Sequence, residues 1–142
     1  MIRPRDIDHV VIRAIDPERL VHFYCDVLGC TIDHRQDAIG LVHLRAGRSL
    51  IDIIGVDGTL GRQGGAAPGR EGHNVDHVCL RVEPFDADAI RAFLASRGVP
   101  VEASGLRYGA EGEGFSLYVS DPEGNTVELK GPSQPTGSGG AT

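Results

Sequence analysis

Four polar side chains interrupt apolar segments of the sequence, and their types are those of metal ligands. His9 and His77 lie in the similar segments "IDHVVI" and "VDHVCL", and Asp52 and Glu128 lie in "LIDII" and "TVELK". An ionised carboxylate inside a strand needs a counter-charge, hydrogen bonds or a metal ion, because removing it from water without a partner is costly. One divalent cation shared by two imidazoles and two carboxylates would satisfy all four groups. The four residues therefore predict a metal site.

The donor types limit the metal but leave its identity open. Imidazole nitrogens combined with carboxylate oxygens suit Zn, Ni, Co, Mn or Fe(II). The three cysteines do not belong to the set, because Cys25 and Cys30 lack the C-x-x-C spacing of a zinc or redox site and Cys79 lies in an apolar run typical of a small buried side chain. We interpret all three as free thiols in a reducing compartment.

An ion pair is the alternative explanation for Asp52. Arg13 and Arg81 each follow one of the two histidines by four residues, which gives them the strand parity to lie on the same face as that histidine. Ligation of a metal and pairing with an arginine both remain open from the residues alone.

The segments that must position these residues form a repeat. "DHVVIR" at 8–13 and "DHVCLR" at 76–81 share four of six residues. A helix follows each copy, with Asp16 as N-cap and Pro17 at the first helical position in the first copy and Asp86 as N-cap in the second. Three strand-like segments follow in each half: "CTIDHRQ", "GLVHLRAG" and "SLIDIIGV", then "VPVEA", "FSLYVS" and "TVELK", the last two joined by the turn "DPEGN". The sequence therefore predicts two βαβββ modules.

The modules form one predicted domain at residues 1–130. They span residues 5–56 and 74–130, and the glycine-rich segment 57–73, which has neither a helical nor a strand period, is a connector or a lid. Residues 131–142 have the composition of a disordered tail.

Charge and hydropathy exclude several classes of function. The net charge is −6 and no basic cluster is present, which argues against a nucleic-acid partner. No apolar run approaches the roughly 18 residues of a membrane span, and "MIRPRDIDHVV" has no apolar core of a secretory signal. We therefore expect a cytosolic protein with no nucleic-acid partner and no membrane span.

Two longer segments carry a family resemblance. "HVVIRAIDPERLVHFYCDVLG" resembles the first strand and helix of the vicinal oxygen chelate superfamily, and "SLYVSDPEGNTVELK" resembles its D-P-x-G-N-x-[VI]-E-L ending. The superfamily includes glyoxalase I, fosfomycin-resistance proteins, methylmalonyl-CoA epimerase, extradiol dioxygenases and bleomycin-resistance proteins. The resemblance runs from about Ile7 to Lys130 and implies an α+β fold, in which two βαβββ modules form a curved mixed sheet around a metal-containing cavity.

The resemblance also implies a small-molecule substrate and the residues of its site. His9, His77 and Glu128 match metal-ligand positions of the family, and Asp52 falls where glyoxalase I has Glu and other branches have Gln, His or no ligand. Glu128 or Asp52 would transfer the proton in a lyase or isomerase reaction. His43, Arg107 and Tyr108 are candidate substrate-binding residues, the last two in a predicted loop before "GAEGEG".

Three other activities remain open within the family. An extradiol-type dioxygenase would use only His9, His77 and Glu128 as a triad for Fe(II). A thiol transferase of the fosfomycin-resistance kind is a further possibility. A metal-free protein that binds an antibiotic-like ligand is the alternative of a different class. Two-module chains of this kind usually pair, so we also expect a homodimer.

Overall fold

Each half of the described chain, residues 1–134 of the computed structural model, folds as a βαβββ module with its own mixed four-stranded sheet. The chain divides into two units: unit 1 holds residues 1–74 and the turn at 121–124, and unit 2 holds residues 75–120 and the chain from Asn125. The two repeated modules confirm the predicted fold class.

Unit 1 contains the first module. Its elements are β1 (His9–Ala14), α1 (Pro17–Asp26), β2 (Thr31–Gln36), β3 (Leu41–Ala46) and β4 (Ser49–Gly55), with short 3-10 helices at Asp37–Ile39 and Gly61–Gly64. The strand order is β1-β4-β3-β2, in which β1 and β4 are parallel and the other pairs are antiparallel.

Helix α1 begins where the sequence predicts. The Asp16 carboxylate accepts a hydrogen bond from the Arg19 backbone N–H at 3.2 Å, and Pro17 occupies the first helical position. The apolar face of the helix packs on the sheet of unit 1 and buries four side chains: Leu20, Val21, Phe23 and Tyr24. Burial of this face stabilises the module.

Unit 2 repeats the arrangement with a shorter first strand. Its elements are β5 (Val78–Arg81), α2 (Ala87–Ser96), β6 (Ala103–Gly109), β7 (Gly112–Ser120) and β8 (Thr126–Ser133), in the order β5-β8-β7-β6. Strands β5 and β8 are parallel, and the other pairs are antiparallel. Asp86 caps α2 by accepting from the Ala89 N–H at 3.1 Å, as predicted. Neither α1 nor α2, the α-helices of the described chain, has the length and apolar content that a membrane crossing requires.

The turn between β7 and β8 forms as predicted. The Gly124 N–H donates to the Asp121 carbonyl at 3.0 Å, and Gly124 has a φ of +83°, which a side chain would disfavour. Although it joins two strands of unit 2, the turn at 121–124 belongs to unit 1. Its contacts with α1 explain this assignment.

Two side chains attach the turn to the start of α1. The Tyr24 hydroxyl donates to the buried Asp121 carboxylate at 2.8 Å. The Glu123 carboxylate accepts from the backbone N–H groups of Ile15 and Asp16 at 2.8 and 2.7 Å. The turn therefore supplies hydrogen-bond partners that residues 1–74 do not provide for these groups.

The sixth strand differs from the prediction. We expected a strand at residues 99–103, whereas β6 begins at Ala103 and runs through the segment that we assigned to a loop, so Arg107 and Tyr108 are strand residues. The segment has no apolar alternation, and its extended form comes from pairing with β7. A Cβ at position 109 would lie 2.7 Å from Cε of Lys130, so any larger residue there would require the Lys130 side chain to shift.

The last strand is longer than predicted. We expected a disordered tail from residue 131, whereas β8 continues through Ser133, which pairs with Gly114 after a β-bulge. Composition alone contains no signal for this long-range pairing. The remainder of the predicted tail, from residue 135, lies outside the described residues.

Candidate metal centre

The register of each sheet places a histidine and a carboxylate on the same face. The residue two positions after His9 pairs with Asp52 across β1 and β4, and the residue two positions after His77 pairs with Glu128 across β5 and β8. Because side chains two residues apart share a face of a strand, each histidine lies on the side of its acid. His9 is the first residue of β1, and His77 immediately precedes β5. The two modules therefore carry equivalent histidine–carboxylate pairs.

Asp52 lies between two imidazoles in unit 1. Its side chain is buried, and its Oδ1 lies 2.9 Å from Nδ1 of His43 on the neighbouring strand β3. Its Oδ2 lies 4.0 Å from Nε2 of His9. The buried carboxylate is thus compensated on one oxygen by a hydrogen bond, and the other oxygen faces the predicted ligand His9.

Glu128 has hydroxyl partners in unit 2. The Ser116 hydroxyl donates to its Oε2 at 2.6 Å, and Nε2 of His77 lies 3.1 Å from its Oε1. Burial opposes ionisation of Glu128, but hydrogen bonds from Ser116 and Tyr118, followed by the charge of His77, outweigh burial and lower its pKa. Glu128 is therefore held as a carboxylate.

Both site histidines are oriented by the residue that precedes them. Nδ1 of His9 lies 2.7 Å from Asp8, and Nδ1 of His77 lies 2.6 Å from Asp76. An ionised carboxylate can only accept, so Nδ1 carries a proton in each ring. The hydrogen bond with Asp8 raises the pKa of His9. In the neutral form each Nε2 presents a lone pair on the side of a buried carboxylate, an arrangement that a cation stabilises.

The imidazole and carboxylate groups are of the types that bind a divalent metal ion, but in residues 1–134 they are not brought together as a cluster. Nitrogen and carboxylate oxygen are the ligands that Zn, Ni, Co, Mn and Fe(II) accept. Each unit by itself supplies one histidine–carboxylate pair. Across residues 1–134, no group of three or more His, Cys, Asp and Glu side chains is arranged to hold an ion.

The arginine explanation of Asp52 is wrong. The Arg13 guanidinium donates to the carbonyls of Gly61, Gly65 and Ala66 at 2.7–3.2 Å, so it anchors the glycine-rich connector within unit 1. Arg81 instead pairs with Glu111 at 2.7 Å.

The candidate substrate-binding residues have different surroundings. Both ring nitrogens of His43 have protein partners, namely Asp52 and the Gln36 amide nitrogen at 2.9 Å. Arg107 is half-buried and lies 5.4 Å from the ring centre of Tyr118, on the face of its sheet that carries Glu128. Tyr108 is the next residue of β6, so it lies on the opposite face and is 85% exposed. The structure therefore does not bring Tyr108 to the Glu128 side.

Three residues near Glu128 in unit 2 were not identified from the sequence. Ser116 and Tyr118 alternate in "FSLYVS" and lie on β7, with Tyr118 directly opposite Glu128. The hairpin turn "DPEGN" was the available signal for that pairing. Lys130, two residues after Glu128, is buried and its Nζ donates to the carbonyls of Gly114 and Arg107.

Cys79 also differs from expectation. It is exposed rather than buried, because the short strand β5 lies at the edge of its sheet. Although the residue as a whole is exposed, partial burial of its sulfur and then the charge of Glu128 raise its pKa to about 11. Cys79 is therefore a protonated thiol beside the candidate ligand.

A cavity of about 370 Å³ in unit 1 lies apart from the predicted residues. Its lining includes the carboxylates of Asp16, Glu18, Asp37 and Asp57, but not His9, His43 or Asp52. The predicted site residues of unit 1 therefore lie outside this cavity.

Comparison with known proteins places the chain in a family. The family model described as the Glyoxalase/Bleomycin resistance protein/Dioxygenase superfamily matches residues 6–129. A comparison of the sequence with curated proteins found no significant match.

Solved structures share the fold at low sequence identity. A virulence protein from Salmonella typhimurium is 24% identical, with a TM-score of 0.75 over 93% of this chain and 99% of that chain. A lactoylglutathione lyase from Agrobacterium tumefaciens is 21% identical, with a TM-score of 0.64 over 90% and 94%. An antibiotic-binding protein from Streptomyces is 22% identical, with a TM-score of 0.67 over 94% and 100%. At these identities the likeness shows the fold alone.

Proposed function

We propose that this chain, which belongs to the Glyoxalase/Bleomycin resistance protein/Dioxygenase superfamily, binds a small oxygen-bearing molecule at a divalent metal ion whose ligands are His9, Asp52, His77 and Glu128. The observation that carries the proposal is the arrangement of His9 and His77, which is the same in both modules. Nδ1 of each ring donates a hydrogen bond to the preceding aspartate, and Nε2 of each ring faces a buried carboxylate. A metal ion replaces a proton as the cation that such pairs require.

The side chains support lyase or isomerase chemistry. A bound metal ion supplies a Lewis acid for two neighbouring substrate oxygens. Glu128, held as a carboxylate by Ser116 and Tyr118, can accept a proton from substrate carbon and return it. Asp52 has one oxygen free of the bond to His43 and is the second candidate for this role. Arg107 would hold an anionic group of the substrate.

Two observations favour other members of the same superfamily as second candidates. The longer separation of His9 from Asp52, 4.0 Å against 3.1 Å for His77 and Glu128, suits a site with three ligands, as in an extradiol-type dioxygenase. The absence of an assembled cluster in residues 1–134 suits a metal-free binding protein.

Metal content of purified variants tests the proposal. The chain is loaded separately with Zn, Ni, Co, Mn and Fe(II), dialysed, and analysed for metal per chain. We expect one ion in the wild type and in the control variant His22→Ala, whose side chain is exposed on α1. We expect loss of the ion in His9→Ala and His77→Ala, with affinity lowered more than about 100-fold, because loss of an outer-shell partner already costs 10- to 100-fold. Full retention in His77→Ala, or no uptake by the wild type, contradicts the proposal.

Asp52→Ala separates the candidate activities. Loss of both metal and turnover supports a four-ligand lyase or isomerase, whereas retained Fe(II) with catechol cleavage supports the dioxygenase. Ligand binding that is unaffected by a chelator supports the metal-free protein. The cytosolic location and the homodimeric state stay predictions, and light scattering at micromolar concentration tests the second.

A further inference from the structure

Asp52 is joined to two further side chains by a line of hydrogen bonds across three strands. Gln36 is the last residue of β2, His43 lies on β3 and Asp52 lies on β4, directly opposite His43. The Gln36 amide nitrogen lies 2.9 Å from Nε2 of His43, and Nδ1 of His43 lies 2.9 Å from Oδ1 of Asp52. The line begins at an exposed amide and ends at a carboxylate whose side chain is 4% exposed.

The chemistry of the end groups determines where the proton of His43 resides. An amide nitrogen only donates, so Nε2 of His43 accepts. An ionised carboxylate only accepts, so Nδ1 of His43 carries the proton and donates it to Asp52. His43 is therefore neutral with its proton on Nδ1. Because the amide cannot take up a proton from Nε2, this line of bonds cannot conduct a proton out of the site.

We propose that Gln36 and His43 are positioning residues that clamp Asp52, an inference that rests on the proposed function. Oδ1 of Asp52 accepts the hydrogen bond from His43. The other oxygen, Oδ2, lies nearer His9 and is therefore the one available for a metal ion or a substrate proton. The clamp also excludes His43 as a direct substrate contact, because both of its ring nitrogens are occupied. A carboxylate held in this way acts through a single oxygen.

Nitrogen NMR of the imidazole rings tests the clamp in the metal-free protein. In uniformly ¹⁵N-labelled protein, we expect the pattern of long-range ¹H–¹⁵N couplings of His43 to report a neutral ring protonated at Nδ1. The His43→Asn variant, which lacks these signals, assigns them. In Gln36→Leu the donor to Nε2 is lost while Asp52 still accepts from Nδ1, so we expect the proton to stay on Nδ1 and the ¹⁵N resonance of Nε2 to move toward that of a ring nitrogen without a hydrogen bond. Gln63→Leu, the same change at an exposed residue of the connector, is the matched control and should leave the ring unchanged.

Metal titration tests whether the clamp positions Asp52. We expect Gln36→Leu to weaken binding of Zn(II) or Ni(II) by up to about 10-fold, because His43 and not Gln36 is the direct partner of Asp52 and loss of a direct outer-shell partner costs 10- to 100-fold. Gln63→Leu should have no effect. His43→Phe removes the donor to Asp52 and should weaken binding at least as much. His43→Asn retains an N–H donor near the position of Nδ1 and should restore most of the affinity.

The outcomes separate this inference from the proposed function. A His43 ring protonated at Nε2 or at both nitrogens in the wild type overturns the clamp even if metal binds. An unchanged Nε2 resonance or an unchanged metal affinity in Gln36→Leu also overturns it. Because Gln36 is exposed, this variant gives a result even if His43→Phe does not fold. If the wild type shows the Nδ1–H ring and Gln36→Leu moves the Nε2 resonance, but no metal binds, the clamp stands and the proposed metal function fails.

Discussion

Each module carries one histidine and one carboxylate at equivalent positions of its strands, but the two modules stabilise the carboxylate differently. In unit 1 an imidazole binds the acid Asp52, whereas in unit 2 hydroxyl groups bind the acid Glu128. The shorter Asp52 also lies farther from its histidine, at 4.0 Å against 3.1 Å for Glu128. The comparison shows that strand register determines where the pair lies and that the neighbouring strand determines how each acid behaves.

The helices of the two modules differ as much as the sites. Phe23 and Phe93 each follow their N-cap aspartate by seven residues, yet Phe23 is 8% exposed and Phe93 is 41% exposed. Helix α1 buries four side chains, whereas Leu94 is the buried side chain of α2. Equivalent positions in sequence therefore contribute unequally to the core of the described chain.

Truncation of the two phenylalanines gives the largest expected contrast. We expect Phe23→Ala to lower the free energy of unfolding by about 3–5 kcal/mol, because a buried ring is removed and a cavity remains. Phe93→Ala should lower it by less than about 1 kcal/mol. Urea denaturation of both variants measures the difference. Equal losses would mean that the two helices are packed alike.

A smaller effect concerns the Tyr24 hydroxyl, which has no counterpart at the equivalent position of α2. Tyr24 and Leu94 occupy equivalent positions, eight residues after their N-caps, and Tyr24 donates to the buried Asp121. Tyr24→Phe should lower the free energy of unfolding by about 1–3 kcal/mol, since a buried carboxylate loses a donor. Tyr108→Phe, at an exposed position, is the control and should be neutral in the same urea experiment. A neutral Tyr24→Phe would show that the turn does not depend on the hydroxyl.

The smallest expected effect concerns the reactivity of Cys79. This residue pairs with Glu128 across the sheet of unit 2, whereas its counterpart in unit 1, which pairs with Asp52, is the unreactive Val11. The pKa of Cys79 is about 11, raised by burial and then by Glu128, so its thiolate is scarce near pH 8. Glu128→Gln removes the negative charge, lowers the pKa of Cys79 and increases the thiolate fraction. We expect alkylation by iodoacetamide at about pH 8 to accelerate by less than about tenfold, since the charge is the minor cause of the shift.

Site-resolved mass spectrometry measures this reaction with an internal control. Cys30, whose pKa is also raised to about 11, by burial and then by Cys25, should react at the same rate in both proteins. Acceleration at Cys30 would indicate general loosening of the fold, and an unchanged rate at Cys79 would contradict the effect of Glu128.

Local signals in the sequence were sufficient to predict the helix starts and the turn that lie next to the strands carrying the two histidine–carboxylate pairs. The N-caps Asp16 and Asp86 and the turn "DPEGN" act within a few residues, so their patterns predicted structure correctly. Strand β6 was misplaced because its extended form depends on pairing with β7 and on Gly109, which leaves room for Lys130. Such pairing has no local pattern.

The partner of Asp52 was unpredictable for a related reason. Whether His43 faces Asp52 depends on the length of the turn between β3 and β4, and a change of one residue reverses the face. The structure has residues 47–48 between the two strands, which places His43 opposite Asp52. The parity of Arg13 was predicted correctly, but its long side chain reaches the connector, a segment without any period in the sequence.

The turn at residues 121–124 makes completion of unit 1 depend on the order of synthesis. As the chain leaves the ribosome, residues 1–74 emerge first, yet the acceptors for the Tyr24 hydroxyl and for the N–H groups of Ile15 and Asp16 lie in a turn made almost fifty residues later. The Tyr24 hydroxyl is buried, and a buried polar group without a partner disfavours a folded state. The first module therefore completes its hydrogen bonding only after the turn between β7 and β8 has been made.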